Sequence, residues 1–260
     1  MKEVYRAKIL ENSAITNNIY NLILETETTQ KAHAGQFAAI YTGNAACLLP
    51  RPLSICEINR QNNTLRIIYR IEGQGTKEIA AAKTGQFLRI LSPLGNGFTI
   101  DAALNNFAIV GGGIGTPPML ELAKSIRQAQ PDAVISVYLG FRNAEQVILQ
   151  DDFNKYANSV HISTDDGSFG EKGNILTMME GTVFDAIYGC GPKVMIKHLA
   201  NLAEKVSTPC YVSLEERMAC CIGACLGCVT KIKKEGSAYY EKVCAAGPVF
   251  DAKELIWSGH

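Results

Sequence analysis

The sequence predicts a multi-domain fold in which an antiparallel β-barrel is followed by a parallel-sheet α/β domain and a small C-terminal segment. Three observations predict it. Short alternating apolar runs fill the first hundred positions, short apolar strands then alternate with helical stretches, and five of the nine cysteines crowd into residues 220–244. These changes of pattern place the predicted domains at residues 1–100, 101–210 and 211–260.

The first hundred residues contain six predicted strands. Several short strands at this spacing, separated by turn residues, are typical of a small antiparallel barrel. The turns contain Asn62-Asn63 and Gly95-Asn96-Gly97, which favour chain reversal. The predicted strands are Val4–Leu10, Ile19–Leu24, Phe37–Tyr41, Leu53–Ile58, Leu65–Ile71 and Phe87–Leu91.

The next hundred residues are predicted to form a parallel sheet with helices on both faces. Strands that alternate with helices are joined by crossovers, and such crossovers favour parallel pairing. The predicted strands are Phe107–Val110, Val134–Leu139, Val160–Ser163 and Ala186–Tyr188. The predicted helices are Pro117–Gln130, Ala144–Asn158, Asn174–Met179 and Pro192–Val206.

The remaining segment, from Tyr211 onward, is rich in glycine and cysteine and is too small for a convincing apolar core of its own. Something other than apolar packing is therefore expected to hold it together. Metal or cluster binding is the physical device that small segments of this kind commonly use.

Composition excludes several classes of function. Twenty-five acidic residues balance twenty-five basic ones, so no net field would recruit nucleic acid or an anionic membrane surface. Apolar residues make up 47% of the chain, yet no apolar run approaches the roughly 20 residues needed to cross a bilayer. The first residues, Met1–Arg6, lack the apolar stretch of a secretory signal. We therefore expect a soluble, cytoplasmic protein with neither nucleic-acid nor membrane partners.

The crowded cysteines have the spacing of a [2Fe–2S] cluster site. Cys220, Cys225 and Cys228 follow one another as C-x4-C-x2-C, and Cys244 lies beyond a further fifteen residues. This is the plant-type spacing, in which three thiolates on one tight loop and one distant thiolate hold two irons. Cys221 as first ligand would shorten the first interval to C-x3-C, so Cys220 is favoured and Cys221 is interpreted as a spare thiol.

Two other interpretations of the same cysteines stay open. Four thiols also satisfy a structural zinc ion, although zinc ribbons usually contain two C-x2-C pairs and this segment contains one. Reactive or free thiols are the second alternative. A disulfide framework is disfavoured, because the cysteine count is odd and a secretion signal is lacking. The spacing favours the cluster over the alternatives.

Three motifs in the predicted barrel suit a flavin dinucleotide. In Arg51-Pro52-Leu53-Ser54 the arginine fork matches a pyrophosphate, and the serine can hydrogen-bond the edge of a flavin ring. Ile68-Tyr69-Arg70 lies on the next strand. Gly73-Gln74-Gly75-Thr76 precedes a predicted helix whose first N–H groups would attract a phosphate. Each motif is weak alone, since an Arg-Pro-x-Ser run is usually only the start of a strand, but each gains weight from the motifs that follow.

Two glycine-rich turns in the α/β region suit a nicotinamide nucleotide in a Rossmann-like domain. Gly111-Gly112-Gly113-Ile114-Gly115-Thr116-Pro117-Pro118 joins a predicted strand to a predicted helix and lets the backbone approach a dinucleotide. Tyr188-Gly189-Cys190-Gly191-Pro192 makes a second such junction. A merely tight turn and a buried structural cysteine are the alternatives. The residues predicted to bind the nucleotide are Gly111, Gly113, Gly115, Thr116, Cys190, Gly191 and Pro192.

The order of these motifs resembles that of the ferredoxin–NADP reductase superfamily. The stretch Ser213–Cys220, the cysteine spacing and the ending Cys244…Gly247-Pro248-Val249-Phe250 narrow the resemblance to the electron-transfer subunits of type B dihydroorotate dehydrogenase. The similarity covers nearly the whole chain, and the cysteine segment is its most specific part. The family commonly has glycine directly after the first ligand, where this chain has Cys221.

The resemblance implies a role in pyrimidine synthesis. A separate FMN-containing catalytic subunit oxidises dihydroorotate to orotate, and electrons pass through a [2Fe–2S] cluster and FAD on this chain to NAD⁺. It also implies an assembly of two catalytic and two electron-transfer chains. The implied cluster ligands are Cys220, Cys225, Cys228 and Cys244. The implied FAD contacts are Arg51, Pro52, Leu53, Ser54, Ile68, Tyr69, Arg70, Gly75 and Thr76.

No residue is predicted to act as a catalytic acid or base, because the dihydroorotate chemistry belongs to the partner. A nicotinamide carries two electrons as a hydride and a cluster accepts one at a time, so a flavin must stand between them. NAD is expected from the resemblance alone: Arg142 follows the second parallel strand and would suit a 2′-phosphate, while no acidic residue ends that strand. Asp165-Asp166-Gly167-Ser168 either binds nucleotide hydroxyls or forms a solvated turn.

Two competing functions remain at this stage. One is a reductase subunit of another complex on the same fold, of the sulfhydrogenase or ferredoxin type, since a fold does not fix a partner. The other is a scaffold without enzymatic activity, stabilised by zinc. Bound FAD with iron and labile sulfide would exclude the scaffold, and the C-terminal motif favours the dihydroorotate family over the other reductases.

Overall fold

Two sheets of seven strands each form the body of the protein, and a two-stranded hairpin lies outside them. The structure is a computed structural model that describes residues 3–257. The first sheet is antiparallel and occupies the first part of the chain. Its elements are β1 (Val4–Ala14), β2 (Ile19–Glu25), β3 (Phe37–Tyr41), β4 (Arg51–Ser54), β5 (Glu57–Asn59), β6 (Thr64–Arg70) and β7 (Phe87–Leu94), with helix α1 (Gln74–Ala81) between the last two strands.

The antiparallel sheet closes into a barrel because its two edge strands are consecutive in the chain. The strand order is β4-β3-β7-β1-β2-β6-β5, so β4 and β5 end the sheet on opposite sides. Between them Ile55 donates to the carbonyl of Gln36 and Cys56 donates to that of Arg66. The prediction of one strand over Leu53–Ile58 is therefore wrong: the chain changes pairing partner there and forms two strands.

Side chains that alternate along these strands fill the barrel interior, as the period-two pattern predicts. Ile79 of helix α1 packs into the same core. Fully buried side chains of this core include Ile9, Leu22, Leu24, Ile40 and Tyr69.

The second sheet is parallel except at one edge. Its order is β11-β10-β9-β8-β12-β13-β16, and only β16 runs antiparallel to its neighbour. The strands are β8 (Asn106–Gly112), β9 (Val134–Phe141), β10 (Ser159–Thr164), β11 (Glu171–Lys172), β12 (Ala186–Cys190), β13 (Cys210–Ser213) and β16 (Val249–Asp251). The helices are α2 (Pro117–Ala129), α3 (Gln150–Phe153) and α4 (Lys193–Lys205).

Two of the predicted helices are wrong. The stretch predicted as Ala144–Asn158 contains only a 3₁₀ turn, Ala144–Gln146, and the four-residue α3. Leu149 separates them in the left-handed backbone region (φ 67°), which an uninterrupted helix cannot contain. The stretch predicted as Asn174–Met179 is a 3₁₀ turn whose first turn is capped by the Asn174 side chain, which accepts from the N–H of Leu176 at 3.0 Å.

The cysteine-rich segment starts and ends within the parallel sheet. Strand β13 runs across the expected 210/211 boundary, and Ser213 pairs with Val249 of β16 after the chain has made a 35-residue excursion, 214–248. The hairpin β14 (Val229–Lys234) and β15 (Ser237–Lys242) lies within that excursion. Buried Cys221, Cys228 and Cys244 share one core with side chains of α4 and β13, so the segment gains its apolar packing from the neighbouring domain.

The longest helices, α2 and α4, have 13 residues each and measure about 20 Å at 1.5 Å per residue. Helix α4 buries one face against the parallel sheet, whereas α2 is buried on all sides over Pro117–Ala123 because it also contacts barrel strand β5. Within residues 3–257, no helix combines the length and apolar character that crossing a membrane requires.

Candidate cofactor and cluster sites

The four cysteines with cluster spacing lie together in two pairs. The N–H of Cys225 donates to Sγ of Cys220 at 3.3 Å, and the N–H of Cys244 donates to Sγ of Cys228 at 3.4 Å. The N–H of Gly223 donates to Sγ of Cys244 at 3.2 Å. Backbone groups thus point at the sulfurs, an arrangement that stabilises thiolates and tunes a bound metal.

The electrostatics of the loop favour the thiolate at its first cysteine. Burial opposes ionisation of Cys220, but the N–H groups of Cys225, Ile222 and Ala224 outweigh it and lower the pKa of Cys220 to about 6. Burial and the neighbouring Cys228 thiol raise the pKa of Cys244 to about 11. The Cys220 thiol is therefore prepared for a cation, whereas the buried Cys244 thiol would need a nearby positive charge to ionise.

The donor set fits a two-iron cluster. A [2Fe–2S] cluster needs two thiolates on each iron, and the loop offers the pairs 220/225 and 228/244. A structural zinc ion needs four ligands converging on one point. In the part of the chain that the structure describes, no three His, Cys, Asp or Glu side chains come close enough to hold a single ion.

Cys221 differs from the other cysteines of the segment. Its backbone lies in the left-handed region (φ 60°), and its side chain is fully buried. Burial, followed by the charge of Cys244, raises the pKa of Cys221 to about 12. A left-handed position is the natural place for glycine, so the structure gives a physical reason for the glycine that the family commonly has here.

Arg51 and the start of helix α1 form a cradle for an anion in the barrel. A Cβ on Gly75 would collide with the Arg51 guanidinium, so the cation lies directly against the first turn of the helix. The first N–H groups of a helix have no intrahelical partner and carry partial positive charge. A fixed cation beside free N–H groups is a suitable site for the pyrophosphate of FAD.

The other predicted flavin residues divide by orientation. The Tyr69 side chain points into the barrel, where its hydroxyl donates to Asn12 at 3.1 Å, so only its backbone can face a cofactor. Ile68 packs in the core shared with the α/β domain. The Thr76 hydroxyl accepts from the N–H groups of Glu72 and Gly73 at 3.0 and 3.2 Å, so it caps the helix. Arg51, Pro52, Leu53 and Ser54 are all partly exposed on β4.

A cavity connects the flavin motif with the cluster segment. Its volume is about 770 Å³, within the range of cofactor pockets. One wall is the loop 46–52, which contains Arg51 and Pro52, and the other is the stretch 215–218 immediately before Cys220. Sequence reasoning missed this cavity: Leu48-Leu49 has no pattern that distinguishes it from ordinary loop, and Glu215–Met218 was recognised only as part of the family motif before Cys220.

The two glycine-rich turns meet at the carboxyl ends of adjacent strands. Gly111 of β8 pairs with Cys190 of β12. A Cβ on Gly115 would lie 2.6 Å from the Cys190 carbonyl and 2.6 Å from Cα of Gly191. The chain leaves β8 towards β9 on one side, while β12 lies on the other, so this is the switch point where open α/β sheets bind nucleotides.

The remaining predicted nucleotide residues line this crevice. Thr116 is fully buried, and its hydroxyl has no hydrogen-bond partner among the described residues. Cys190 is buried beside Ser213 of β13, and burial raises the pKa of Cys190 to about 12, so its thiol stays neutral. Pro192 precedes α4 as its N-cap residue. A neutral thiol gives no charge attraction to an anion, so the Cys190 side of the crevice suits the nicotinamide ring better than a phosphate.

Arg70 links the flavin motif with the crevice. Its guanidinium lies 3.8 Å from the position a Cβ on Gly113 would take, and it forms an ion pair with Glu72 at 3.6 Å. A residue predicted to contact FAD therefore also borders the nucleotide turn. The cavity thus brings the stretch before Cys220 to Arg51, which lies against Gly75, while Arg70 borders Gly113.

The polar turn after β10 lies beside the end of β9. Ser168 donates to the Asp166 carboxylate at 2.6 Å, and the Asp166 N–H donates to the Arg142 carbonyl at 3.4 Å. The hydrogen bonds of Ser168 lower the pKa of Asp166, so that carboxylate is ionised at neutral pH. The Asp166 carboxylate thus lies next to the end of β9, a strand that does not itself end in an acidic residue.

Models of two protein families match the chain. The iron–sulfur cluster binding domain of dihydroorotate dehydrogenase B matches residues 215–256, and the oxidoreductase NAD-binding domain matches residues 109–201. The first match includes the four paired cysteines and the second includes both glycine-rich turns.

Relatives match over nearly their whole length. The chain is 38% identical over 253 residues to the electron transfer subunit of dihydroorotate dehydrogenase B (NAD⁺) of Clostridium perfringens, covering 97% of this chain and 98% of that one. It is 41% identical over 257 residues to the subunit of the same name from Enterococcus faecalis, covering 95% and 96%.

Solved structures share the architecture. A structure described as an NADH-dependent reduced ferredoxin–NADP oxidoreductase, studied for flavin-based electron bifurcation, superposes with a TM-score of 0.86 at 25% identity, covering 99% of this chain and 92% of that chain. The ferredoxin reductase of carbazole 1,9a-dioxygenase superposes with a TM-score of 0.68 at 16% identity, covering 80% and 67%, which shows the fold alone.

Proposed function

This chain belongs to the family of dihydroorotate dehydrogenase B electron-transfer subunits, and from that premise we propose that it carries electrons from a partner that oxidises dihydroorotate to NAD⁺. The cofactors of this transfer are a [2Fe–2S] cluster, FAD and NAD. The observation that carries the proposal is that the stretch immediately before Cys220 shares a cavity with the flavin motif, whose Arg70 borders the glycine crevice. When bound, FAD exchanges one electron with a cluster and two with a nicotinamide.

The proposed cluster ligands are Cys220, Cys225, Cys228 and Cys244. Their pairing supports two thiolates on each iron, and the backbone donors of the loop offset part of the negative charge on the sulfurs. Cys221 is not a proposed ligand, because as first ligand it would shorten the first interval of the plant-type spacing from C-x4-C to C-x3-C.

In the proposed flavin site Arg51 and the first turn of α1 hold the pyrophosphate, and Ser54 hydrogen-bonds the ring edge. Pro52 and Leu53 shape the wall of the site, the backbone of Ile68, Tyr69 and Arg70 borders it, and Gly75 keeps room for the arginine. Gly75 has this role because any side chain there would displace the guanidinium. Thr76 acts by capping α1.

In the proposed nucleotide site Gly111, Gly113 and Gly115 let the dinucleotide approach the backbone, and buried Thr116 supports the turn as the N-cap residue of α2. Cys190, Gly191 and Pro192 form the opposite wall. None of these groups needs to gain or lose a proton, which agrees with hydride transfer between two bound cofactors. NAD rather than NADP is the proposed acceptor, since the Asp166 carboxylate would repel a 2′-phosphate near Arg142.

The proposed partner is an FMN-containing catalytic subunit in an assembly of two catalytic and two electron-transfer chains. The name of the relatives implies a catalytic partner. Ile222 and Leu226 expose apolar side chains on the cysteine loop, where a docked partner would shorten the path to the cluster. All nine cysteines are unpaired, which suits a reducing compartment, and the cytoplasm is the proposed location.

Co-expression with the catalytic subunit tests the proposal. The purified complex is expected to contain one FAD and two irons per copy of this chain and to reduce NAD⁺ when dihydroorotate is added. A Cys225→Ser variant should retain FAD but lose this coupled reaction. Zinc in place of iron, or equal rates with NADP⁺, would contradict the cluster or the nucleotide part of the proposal.

A second candidate function follows from the similarity to the bifurcating oxidoreductase: a reductase subunit that serves ferredoxin. It requires NADH-dependent ferredoxin reduction in a complex without dihydroorotate oxidation. The co-purified partner separates the two candidates, because only one of them brings FMN and dihydroorotate chemistry.

A further inference from the structure

A buried carboxylate connects the α/β domain to the barrel. Glu121 lies on α2, five residues after Thr116 of the nucleotide turn, and is only 1% exposed. Its Oε2 accepts the backbone N–H of Ile58 on barrel strand β5 at 2.7 Å. The contact joins side chain to backbone across 63 positions of sequence, so it is purely tertiary.

Lys124, one turn further along α2, holds the other backbone group of the same barrel residue. Its Nζ donates to the carbonyl oxygen of Ile58 at 2.6 Å and approaches Glu57 Oε1 at 3.3 Å and Glu121 Oε2 at 3.5 Å. Two side chains of one helix therefore bind both the N–H and the C=O of Ile58, as a neighbouring strand would. We call Glu121 and Lys124 the α2 clamp.

A second contact keeps the same two parts of the molecule aligned. Arg66 of β6 forms an ion pair with Asp152 of α3 at 2.9 Å and approaches Glu57 at 3.7 Å. Its Nε donates to Asn21 at 2.8 Å, so the guanidinium is fixed from the barrel side. Glu57 lies within reach of both Lys124 and Arg66, so the two contacts form one charged network that opposes rotation of one domain against the other.

The α2 clamp lies between the two proposed cofactor motifs. Helix α2 begins at Pro117, directly after the glycine turn, and β5 continues from β4, which contains Arg51. A shift of α2 relative to β5 would therefore move the nucleotide crevice relative to the flavin cradle. Hydride transfer depends steeply on such a shift, because a misplacement of about 1 Å can cost about a hundredfold in rate.

We propose that Glu121 and Lys124 are positioning residues that fix the nucleotide crevice against the flavin barrel and so set the rate of hydride transfer. The inference rests on the proposed function. A buried ion pair adds little net stability, since desolvation offsets most of the attraction. Its directional hydrogen bonds to Ile58 do specify one relative placement of helix and strand, which apolar packing alone would leave free to slide.

The test compares two replacements of Glu121 in the flavin-loaded chain. Glu121→Asp keeps the charge but withdraws the carboxylate from Ile58, whereas Glu121→Gln keeps an acceptor at the same reach. Flavin reduction by NADH is followed in a stopped-flow instrument, and NAD⁺ binding and amide hydrogen exchange at Ile58 are measured separately. Ile126→Val, a core truncation on the same helix away from Ile58, is the matched control for lost stability.

Glu121→Asp is expected to slow flavin reduction about ten- to a hundredfold with NAD⁺ affinity within about threefold of wild type. The Ile58 amide should exchange faster in the same variant. In Glu121→Gln both the rate of flavin reduction and the exchange of the Ile58 amide should stay near their wild-type values. Ile126→Val should leave the rate of flavin reduction unchanged while lowering the melting temperature.

Wild-type rates in Glu121→Asp, or equal slowing in Ile126→Val, would overturn the positioning role while leaving the proposed function intact. Absence of NADH-dependent flavin reduction in the wild-type chain would instead overturn the proposed function, and the positioning role with it. If Glu121→Asp folds poorly, Lys124→Met tests the lysine of the α2 clamp instead, with Glu121→Gln as its comparison and Ile58 exchange measured in both. Slowed flavin reduction in Lys124→Met supports the positioning role, and unchanged flavin reduction opposes it.

Discussion

The cysteine loop and the glycine crevice prepare for their ligands in opposite ways. The crevice is built from adjacent parallel strands, and its turns touch so closely that Gly115 leaves no space for a methyl group. The cysteine loop, residues 219–228, contains no helix or strand. Hydrogen bonds from backbone N–H groups to the cysteine sulfurs help to hold its conformation.

The difference teaches where each site gets its rigidity. Strand packing holds the crevice whether or not a nucleotide is present, because the packed sheet is itself the stable state. The cysteine loop brings together thiols whose charges repel once they ionise, so it gains its full order only from the metal. Four changes test this contrast, beginning with the one expected to have the largest effect.

Removing one cluster ligand should break the cysteine loop and spare the crevice. Cys228→Ser is expected to lose iron and sulfide and to lower dihydroorotate-dependent NAD⁺ reduction by about two orders of magnitude or more. NADH-dependent dye reduction through FAD should remain. Hydrogen exchange should rise across 214–248 and stay unchanged around Gly111–Thr116. Cys56→Ser, in the barrel and away from the cavity, is the control outside the segment. Increased exchange in the crevice of Cys228→Ser would show that the two regions are not independent.

Adding one methyl group should disturb the crevice and spare the loop. In Gly115→Ala the new Cβ would lie 2.6 Å from the Cys190 carbonyl, so the turns must separate. We expect the KM for NAD⁺ to rise about tenfold, which corresponds to about 1.4 kcal/mol, with iron content unchanged. Gly73→Ala, where a Cβ would meet nothing within 4 Å, is the control. An unchanged KM would mean that the crevice is more compliant than strand packing suggests.

Replacing the spare cysteine should change the loop only slightly. Cys221→Gly relieves about 1 kcal/mol of left-handed backbone strain and loses the packing of a buried thiol of similar size. The net change in stability is expected to stay within about 1 kcal/mol, or a few degrees in Tm. Iron analysis should still find two irons per chain. Loss of iron in this variant would transfer the ligand role from Cys220 to Cys221.

The smallest expected effect concerns charge on the helix that leaves the crevice. Burial raises the pKa of Glu121 above its ordinary 4.5, despite the opposing effects of Lys124 and the Ile58 N–H. The contribution of Glu121 to the free energy of unfolding is therefore fully present below about pH 4.5. It is lost as the pH rises through the higher folded-state pKa. Glu121→Gln lacks this decline, so its Tm relative to wild type should increase between pH 5 and pH 8. A constant Tm difference across this pH range would contradict the burial argument.

The sequence predicted most of the fold because its periodic patterns are strong. The glycine turns and the cysteine spacing indicate their chemistry locally, so the order of residues alone locates these motifs. The helix predicted over Ala144–Asn158 failed because Leu149 takes a left-handed conformation that no local pattern indicates. The hydrogen bond from Ile58 to Glu121 could not be predicted either. Its donor is a backbone N–H, which nearly every residue has, so the sequence does not indicate which side chain accepts it.

The cavity between the loop 46–52 and Glu215–Met218 was unpredictable for a related reason. Both walls are irregular segments far apart in sequence, and they meet only because β4 and β13 belong to domains that pack together. The return of the chain to the parallel sheet at Val249 was also missed, because a three-residue edge strand is too short for a pattern. Long-range pairing, rather than local propensity, decides both.

Strand β16 returns the chain to the parallel sheet beside β13, so the cysteine-rich excursion 214–248 is a self-contained insertion. Its two ends, Ser213 and Val249, are paired neighbours, and Leu214 donates to the carbonyl of Pro248 at 2.9 Å just beyond them. A short hairpin turn could replace everything between without breaking a ladder bond of the sheet. An ancestral flavin reductase could thus have acquired, or a descendant could shed, its electron path to a partner enzyme through a single insertion at one edge of the sheet.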